Sequence, residues 1–322
     1  MTNRWRTVVM AAAIAWPVAA GAAPRDHRDH DRDRDDKEVV TAPKQVKSFN
    51  VGPTGSLKLA NVAGDVTVTG GSGSEIKIES ETHGKGKTQA EAQQQLDTVT
   101  VETRQAGNRV EVETKHRPNS HAWVDYTVMV PAGASIEIRT VSGDVRVTNV
   151  NGTAIAETVS GDVQASNLGR VSSLKAVSGD VSGTNLASDG NVALGTVSGD
   201  VAIRGLKAKA VSVETVSGDA RLEGCECGGV TSSSVSGDVV YTGSLASGGR
   251  YAFNTHSGDV VLTTPSGYEL NAQTFSGDLR ADGLSTQGGS ERMGRSIRGT
   301  VGGGGAVVDV KTFSGDFRAA RK

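Results

Sequence analysis

Cysteine, aromatic residues and long apolar runs are all scarce in this sequence, and each shortage excludes a way of building or anchoring a protein. Two cysteines occur in 322 residues, so a disulfide framework does not hold the fold together. Aromatic residues account for 4% of the chain, which leaves few rings for stacking against sugars. The longest apolar run, Val8 to Ala20, is too short and too rich in alanine for a transmembrane anchor.

Charge and motif content exclude further classes of protein. Without residues 1–22 the chain loses two of its 34 basic residues, which leaves 32 basic against 36 acidic residues. That balance argues against a nucleic-acid partner. Of six histidines only His256 lies in the repeated part of the chain, and no phosphate-binding loop, Gly-x-Ser-x-Gly sequence or metal triad is present. The sequence therefore predicts neither a cofactor nor a metal centre.

The first 43 residues predict export followed by a spacer. A basic start, an apolar run and small residues before the cleavage point form the three-part pattern of a signal peptide over residues 1–22. We therefore expect a periplasmic or extracellular protein with no stable transmembrane anchor after cleavage. Residues 23–43 are dense in charge and are predicted to be a disordered linker. His27 and His30 in it belong to a solvated charge run rather than to a metal site.

The sequence Ser-Gly-Asp recurs at near-constant spacing after residue 140 and organises most of the chain. Successive aspartates lie about 19 residues apart, and the last step is about twice that length. Such a period indicates a repeat architecture in which each unit is one turn stacked on the next. We interpret the Gly-Asp pairs as structural turns without a catalytic, cofactor-binding or metal-binding role. They are Gly143 and Asp144, Gly161 and Asp162, Gly179 and Asp180, Gly199 and Asp200, Gly218 and Asp219, Gly237 and Asp238, Gly258 and Asp259, Gly277 and Asp278, and Gly315 and Asp316.

Aligning the repeats on the aspartate, taken as position 0, reveals columns of like residues. Valine predominates at −3 and +1, and aliphatic residues occupy −8, −6 and +6. Because side chains of a strand alternate between faces, we assign −3 and +1 to the core and place a bend at the Ser-Gly pair. Asparagine or glycine at +5 is typical of a turn with positive φ. The pattern predicts an all-β parallel β-solenoid of roughly 19-residue coils with a filled interior, and the crossover rule favours a right-handed winding.

Other segments flank or interrupt the repeats. Residues 44–131 mix short strands with a helix-capping sequence, and they predict a small α+β region that caps the solenoid of residues 132–322. Within this region Ala63-Gly64-Asp65 looks like a degenerate first copy of the repeat. Residues 285–305 are rich in glycine and predict a loop with a local hairpin. Cys225 falls in the aliphatic +6 column, which predicts a small buried hydrophobe.

Together these features resemble the DUF4097 family of bacterial envelope proteins, whose members carry a β-strand repeat domain and are often labelled candidate adhesins. The resemblance rests on the export signal, the lead-in that ends at Pro131, the Thr-Val-Ser-Gly-Asp repeats, and the run from Gly302 to Gly305 followed by Thr312 to Phe317. It covers roughly residues 45–322. The resemblance implies the repeat architecture and supplies no catalytic residues.

The repeated aspartates allow three functional hypotheses. Each turn offers one Asp beside one Ser, which is too few ligands for calcium, so we expect hydroxyls, turn amides or arginines at +2 to act as donors. Parallel β-helices include polysaccharide lyases and hydrolases, yet no Asp/Glu pair breaks the column pattern here. We favour a non-catalytic envelope protein that binds an envelope or extracellular protein or glycan through a repetitive polar surface. A carbohydrate-active enzyme and a calcium-dependent surface module are the alternatives.

Overall fold

The computed structural model describes residues 37–290 and 295–322, and it confirms the predicted all-β architecture. Within these ranges strands alternate with tight turns, and one helix of eight residues is the exception. The predicted signal peptide, together with His27 and His30, lies outside the described residues. No helix in the described part of the chain has the length and apolar character of a membrane span.

The first strands and the helix build one end of the fold. Residues 38–41 were predicted as linker, but they form an edge strand because their backbone pairs antiparallel with residues 83–86. Thr88 caps the helix as predicted, since its Oγ1 accepts a hydrogen bond from the Glu91 N–H at 3.2 Å. The elements are β1 (Glu38–Thr41), β2 (Gln45–Asn50), β3 (Ser56–Ala63), β4 (Val66–Gly71), β5 (Glu75–Gly86), α1 (Gln89–Leu96), β6 (Val99–Ala106), β7 (Arg109–His116) and β8 (Ala122–Pro131).

The repeats place one strand before and one strand after each Ser-Gly-Asp turn. They begin with β9 (Ser135–Ser142), β10 (Val145–Thr148), β11 (Thr153–Ser160), β12 (Val163–Leu168), β13 (Arg170–Lys175), β14 (Val181–Ala187), β15 (Asn191–Ser198), β16 (Val201–Ala208) and β17 (Ala210–Ser217). They continue with β18 (Ala220–Ser236), β19 (Val239–Ser257), β20 (Val260–Thr264), β21 (Tyr268–Ser276), β22 (Leu279–Ala281), β23 (Leu284–Ser290), β24 (Arg295–Val301), β25 (Ala306–Ser314) and β26 (Phe317–Arg321).

Strands before the turns pair with one another in parallel, and so do the strands after the turns. For example, β9 pairs with β11, and β10 pairs with β12 so that Val145 lies beside Val163. We call the first set stack A and the second set stack B. Strands β18 and β19 run from one stack into the other and contribute to both. Asparagine and glycine at +5, in the turn from stack B back to stack A, have positive φ as predicted, for example 59° at Asn149 and 70° at Gly205, but Gly243 does not.

The N-terminal coil is enclosed by later parts of the chain. β3 and β4 flank Ala63-Gly64-Asp65 and pair in parallel with β9 and β10, so this degenerate copy is a true coil of the solenoid. On their other side, β3 pairs with β7 and β4 pairs with β8. Beyond these strands lie antiparallel β6 and β5, and β1 and β2 pair with the remaining edge of β5. The cap therefore extends both stacks and ends them with antiparallel strands.

The last repeat of the sequence is inserted inside the solenoid. β25 lies between β19 and β21, while β26 lies between β20 and β22. The coil with Asp316 therefore follows the coil with Asp259, and the coil with Asp278 is displaced outward. β24 pairs antiparallel with both β21 and β23. Most of the segment predicted as a glycine-rich loop is thus a hairpin, because this pairing satisfies the backbone groups along the exposed edge of β21.

Inward side chains of the two stacks meet in one continuous core. Val145 and other valines at +1 are fully buried, and Cys225 is buried with a free thiol. The assignment of −3 to the core was wrong, since Val159 is 45% exposed whereas Thr158 before it is 4% exposed. Thr158 Oγ1 donates to the carbonyl oxygen of Gly143 at 3.2 Å, which satisfies the hydroxyl inside. Side chains of the stack A strands therefore alternate between core and solvent up to the Ser-Gly turn.

Candidate functional site

The Ser-Gly-Asp turns line one edge of the solenoid, where the aspartates form a hydrogen-bonded ladder. Oδ1 of each Asp accepts the backbone N–H of the Asp in the next coil at 2.8 to 2.9 Å. The ladder brings all nine predicted turns together and adds two members at its start. In stacking order it contains Asp125, Asp65, Asp144, Asp162, Asp180, Asp200, Asp219, Asp238, Asp259, Asp316 and Asp278.

These hydrogen bonds compensate for stacking carboxylates about one strand spacing apart. A peptide N–H directed at Oδ1 offsets the repulsion between neighbouring carboxylates. Arginines meet some of the outer oxygens, as in Arg221 to Asp219 at 2.7 Å and Arg318 to Asp316 at 3.0 Å. The N–H of Asp278, followed by the Arg318 side chain, lowers the pKa of Asp316 below its ordinary value of 3.8. Turn amides are therefore the principal donors to the ladder.

The glycine of each turn allows the coils to approach closely enough for this ladder. Gly179 has a φ of +142°, and a Cβ built on it would lie 2.0 Å from the carbonyl oxygen of Gly161 in the preceding coil. The same relation holds between Gly161 and Gly143, where the distance is 2.3 Å. A side chain at this position would force the two backbones apart. Glycine is therefore a steric requirement of the stacking.

A column of mainly apolar side chains runs beside the aspartate ladder. These residues occupy −3, and the exposed fraction of the apolar members ranges from 37% at Val62 to 55% at Phe275. At one end the rings of His256 and Phe275 each lie 4.9 Å from the ring of Phe313, centroid to centroid. The serines at −2, between the column and the ladder, are also exposed. We call the residues at −3 the valine column. In stacking order they are Val62, Val141, Val159, Val177, Val197, Val216, Val235, His256, Phe313 and Phe275.

A shallow groove of about 590 Å³ follows the valine column along the outer surface of stack A. Residues at −4, such as Thr158 and Thr196, form its floor. Residues at −5, including Lys175 and Glu214, form the wall opposite the valines. The groove crosses five successive coils, so it can accommodate an elongated group lying parallel to the solenoid axis. Sequence reasoning missed it because the −3 residues were assigned to the core.

His83, which sequence reasoning also missed, contacts the first aspartate of the ladder. His83 Nδ1 lies 2.9 Å from Thr41 Oγ1, and His83 Nε2 lies 3.1 Å from Asp125 Oδ2. The imidazole stacks on Trp123 with the ring centroids 5.0 Å apart. These residues meet because β1, β5 and β8 are neighbours, so no local motif reveals them. Their contacts tie the edge strand β1 to the aspartate that begins the ladder.

The chemistry offered by this edge is that of hydroxyl groups, carboxylate oxygens and apolar surface. Among residues 37–290 and 295–322, no group of three or more His, Cys, Asp or Glu side chains is placed to hold a metal ion. Both cysteines lie in the core, away from the edge. The neighbouring Cys227 thiol and burial together raise the pKa of Cys225, so this thiol stays protonated at neutral pH.

The profile of the Toastrack DUF4097 family matches residues 55–319 of this chain. Among solved structures, a "putative adhesin" from Bacteroides fragilis is 13% identical, with 86% of this chain and 97% of that chain covered and a TM-score of 0.44. A "putative adhesin" from Parabacteroides distasonis is 13% identical, with 86% and 97% covered and a TM-score of 0.47. A "putative lipid binding protein" from the same species is 11% identical, with 86% and 96% covered and a TM-score of 0.47. No curated protein matches the chain.

Proposed function

The chain belongs to the Toastrack DUF4097 family, and on that premise we propose that it is an exported, non-catalytic, adhesin-like protein of the bacterial envelope. It binds an extended protein or glycan along the Ser-Gly-Asp edge. The observation that supports this proposal is the repetition of one exposed turn. Each Ser-Gly-Asp copy presents a serine hydroxyl and an aspartate, and the ladder holds all copies in line.

Distributed contacts suit this geometry better than a single pocket does. Ten coils about 4.8 Å apart give an edge of roughly 40 Å, along which equivalent weak contacts repeat. Serine hydroxyls and the outer carboxylate oxygens bond to hydroxyl, amide or amine groups of a partner. Affinity therefore comes from the number of coils engaged.

The test compares single and multiple substitutions in the ladder. Asp200→Asn keeps an oxygen that accepts the Asp219 N–H, so the coil stays intact while the charge is lost. We expect this variant to bind isolated envelope less than about tenfold more weakly than the wild type. The triple variant Asp180→Asn, Asp200→Asn, Asp219→Asn should lose far more than any single change. A single substitution that abolishes binding would contradict the distributed-contact proposal.

An assay on the purified wild-type protein tests the proposal that it is not catalytic. Purified protein is incubated with envelope polysaccharides, and new reducing ends or unsaturated products are measured. We expect none above the level of a heat-unfolded control. Release of such products by the folded protein would replace this proposal with a carbohydrate-active enzyme.

A further inference from the structure

The outer surface of stack A differs in character along its length. Its outward positions are −7, −5 and −3, and near the N-terminal end they carry charged residues such as Lys58, Glu111 and Glu113. Across the five coils with Asp180 to Asp259 they carry Ser, Ala, Thr, Gly, Asn and Val, apart from Lys175, Glu214 and His256. A flat sheet face of small and apolar side chains is suited to packing against another sheet. The middle of stack A is therefore a candidate contact surface.

Two opposite charges lie within this otherwise neutral region. Lys175 and Glu214 occupy the −5 column on either side of Gly195, in register with it. Both side chains are exposed, and neither forms an ion pair with another residue in the described ranges. Neighbouring charges in the same column do pair, as Arg139 does with Glu157 at 3.3 Å. Lys175 and Glu214 are thus available to a partner.

The size of the surface matches a stable protein interface. The outer surface of stack A from the coil with Asp65 to the coil with Asp316 comprises nine coils that span roughly 40 Å, and the outward part of each strand spans roughly 20 Å. The small and apolar region is the middle of this surface. The product, about 800 Å² per partner, is what standard-size complexes bury. The area is sufficient for a second folded domain with a flat face of the same kind.

We propose that a second copy of this chain covers the outer surface of stack A, packed antiparallel about a two-fold axis through the coil of Ala193, Gly195 and Val197. Counting the coil of Asp65 as the first, this coil is the fifth, so coil four of one copy faces coil six of the other. Lys175 of each copy then meets Glu214 of its mate. Further out, coil one faces coil nine, which brings Lys58 opposite Asp309. The valine columns face each other.

Other registers of the same face bring like charges together. An axis at the fourth coil places Lys175 opposite its own copy, and an axis at the sixth does the same for Glu214. An axis between the fourth and fifth coils places Glu157 opposite Glu214. An axis between the fifth and sixth coils places Arg139 opposite Lys311. A parallel arrangement places every −5 charge opposite its equivalent. Like charges in direct contact across an interface are unfavourable, so the fifth-coil axis is selected.

This inference goes beyond the proposed function, because the dimer leaves the Ser and Asp columns of both copies exposed. The mature protein is studied by sedimentation equilibrium between about 1 and 100 μM, a range that brackets weaker interfaces of this size. We expect a dimer, and we expect Lys175→Glu and Glu214→Lys each to raise the dimer Kd at least tenfold. The double variant restores the opposite charges, so its Kd should return to within about threefold of the wild type.

A matched control uses a pair of opposite charges elsewhere. Lys207 and Glu226 pair at 2.9 Å within one chain, outside stack A, and Lys207→Glu should leave the dimer Kd unchanged. Thermal melts show whether each variant is folded. A wild type that stays monomeric, or a double variant as weak as the singles, would overturn the inference. A monomer that still binds envelope would leave the proposed function standing, whereas a dimer without envelope binding would contradict that function alone.

Discussion

The glycine at −1 offers the most direct test of how the coils are held together. In Gly179→Ala the added Cβ would lie 2.0 Å from the Gly161 carbonyl oxygen, and the φ of +142° is unfavourable for any L residue. The contact joins two backbones, so no side-chain rotation relieves it. The coils must separate by about 1.5 Å to reach an ordinary contact distance.

The cost of that separation follows from the bonds between these two coils. The Gly161 N–H to the Ser178 carbonyl is 3.0 Å long, and the Asp180 N–H to Asp162 Oδ1 is 2.9 Å long. Weakening both costs about 1 kcal/mol each, and the left-handed backbone adds about 1 to 2 kcal/mol. We therefore expect Gly179→Ala to lower the free energy of unfolding by about 3 to 4 kcal/mol.

The matched control separates backbone strain from collision. Gly73 has a φ of +128°, and nothing lies within 4 Å of a Cβ built there. Gly73→Ala should therefore cost about 1 to 2 kcal/mol, from the backbone conformation alone. Urea unfolding followed by far-ultraviolet circular dichroism gives both values. If the two variants lost equal stability, the proposed steric role of the turn glycine would be refuted.

Two further predictions concern ionisation and metal removal. Burial raises the pKa of Tyr126 to about 12 from an ordinary 10.0, with an opposing hydrogen bond from Thr114. The unfolded chain therefore loses this proton first, and stability should fall as pH rises from about 10 towards 12. Tyr126→Phe should be about 1 kcal/mol less stable at pH 7, and its free energy of unfolding should fall less steeply as pH rises above about 10. If this fall were as steep as in the wild type, the raised pKa of Tyr126 would be contradicted. EDTA should shift the melting temperature by less than about 2 °C, because amides already bind the ladder carboxylates, and a large drop reversed by calcium would show that the ladder binds that ion.

The repeat made the coil predictable from the sequence. Positive φ at Asn149 and burial of Val145 follow from one column each, since a stacked repeat imposes the same environment at every copy. Position −3 was wrongly assigned to the core because valine is both a strong strand former and a common core residue. The preceding threonine carried the opposite signal, but its inward hydroxyl is explained only by the glycine carbonyl that it contacts, as at Thr196 and Gly179.

The order of coils at the two ends could not be derived in the same way. A repeat specifies that coils stack, and each copy of the turn can in principle follow any other. The placement of Asp316 between Asp259 and Asp278 depends on pairing between β19, β25 and β21. Likewise, the contact of His83 with Asp125 requires strands that are distant in sequence. Such non-local pairings leave no periodic signal in a single sequence.

The most direct test of the central claim measures envelope binding against the number of coils. Deleting residues 201–219 removes one coil, and deleting residues 181–238 removes three, while each deletion rejoins Asp to the stack B strand that follows a later turn. Thermal melts establish that the shortened chains fold. Distributed contacts predict a modest loss of affinity for one coil and a much larger loss for three. Complete loss on removal of one coil, or unchanged affinity on removal of three, would contradict the account.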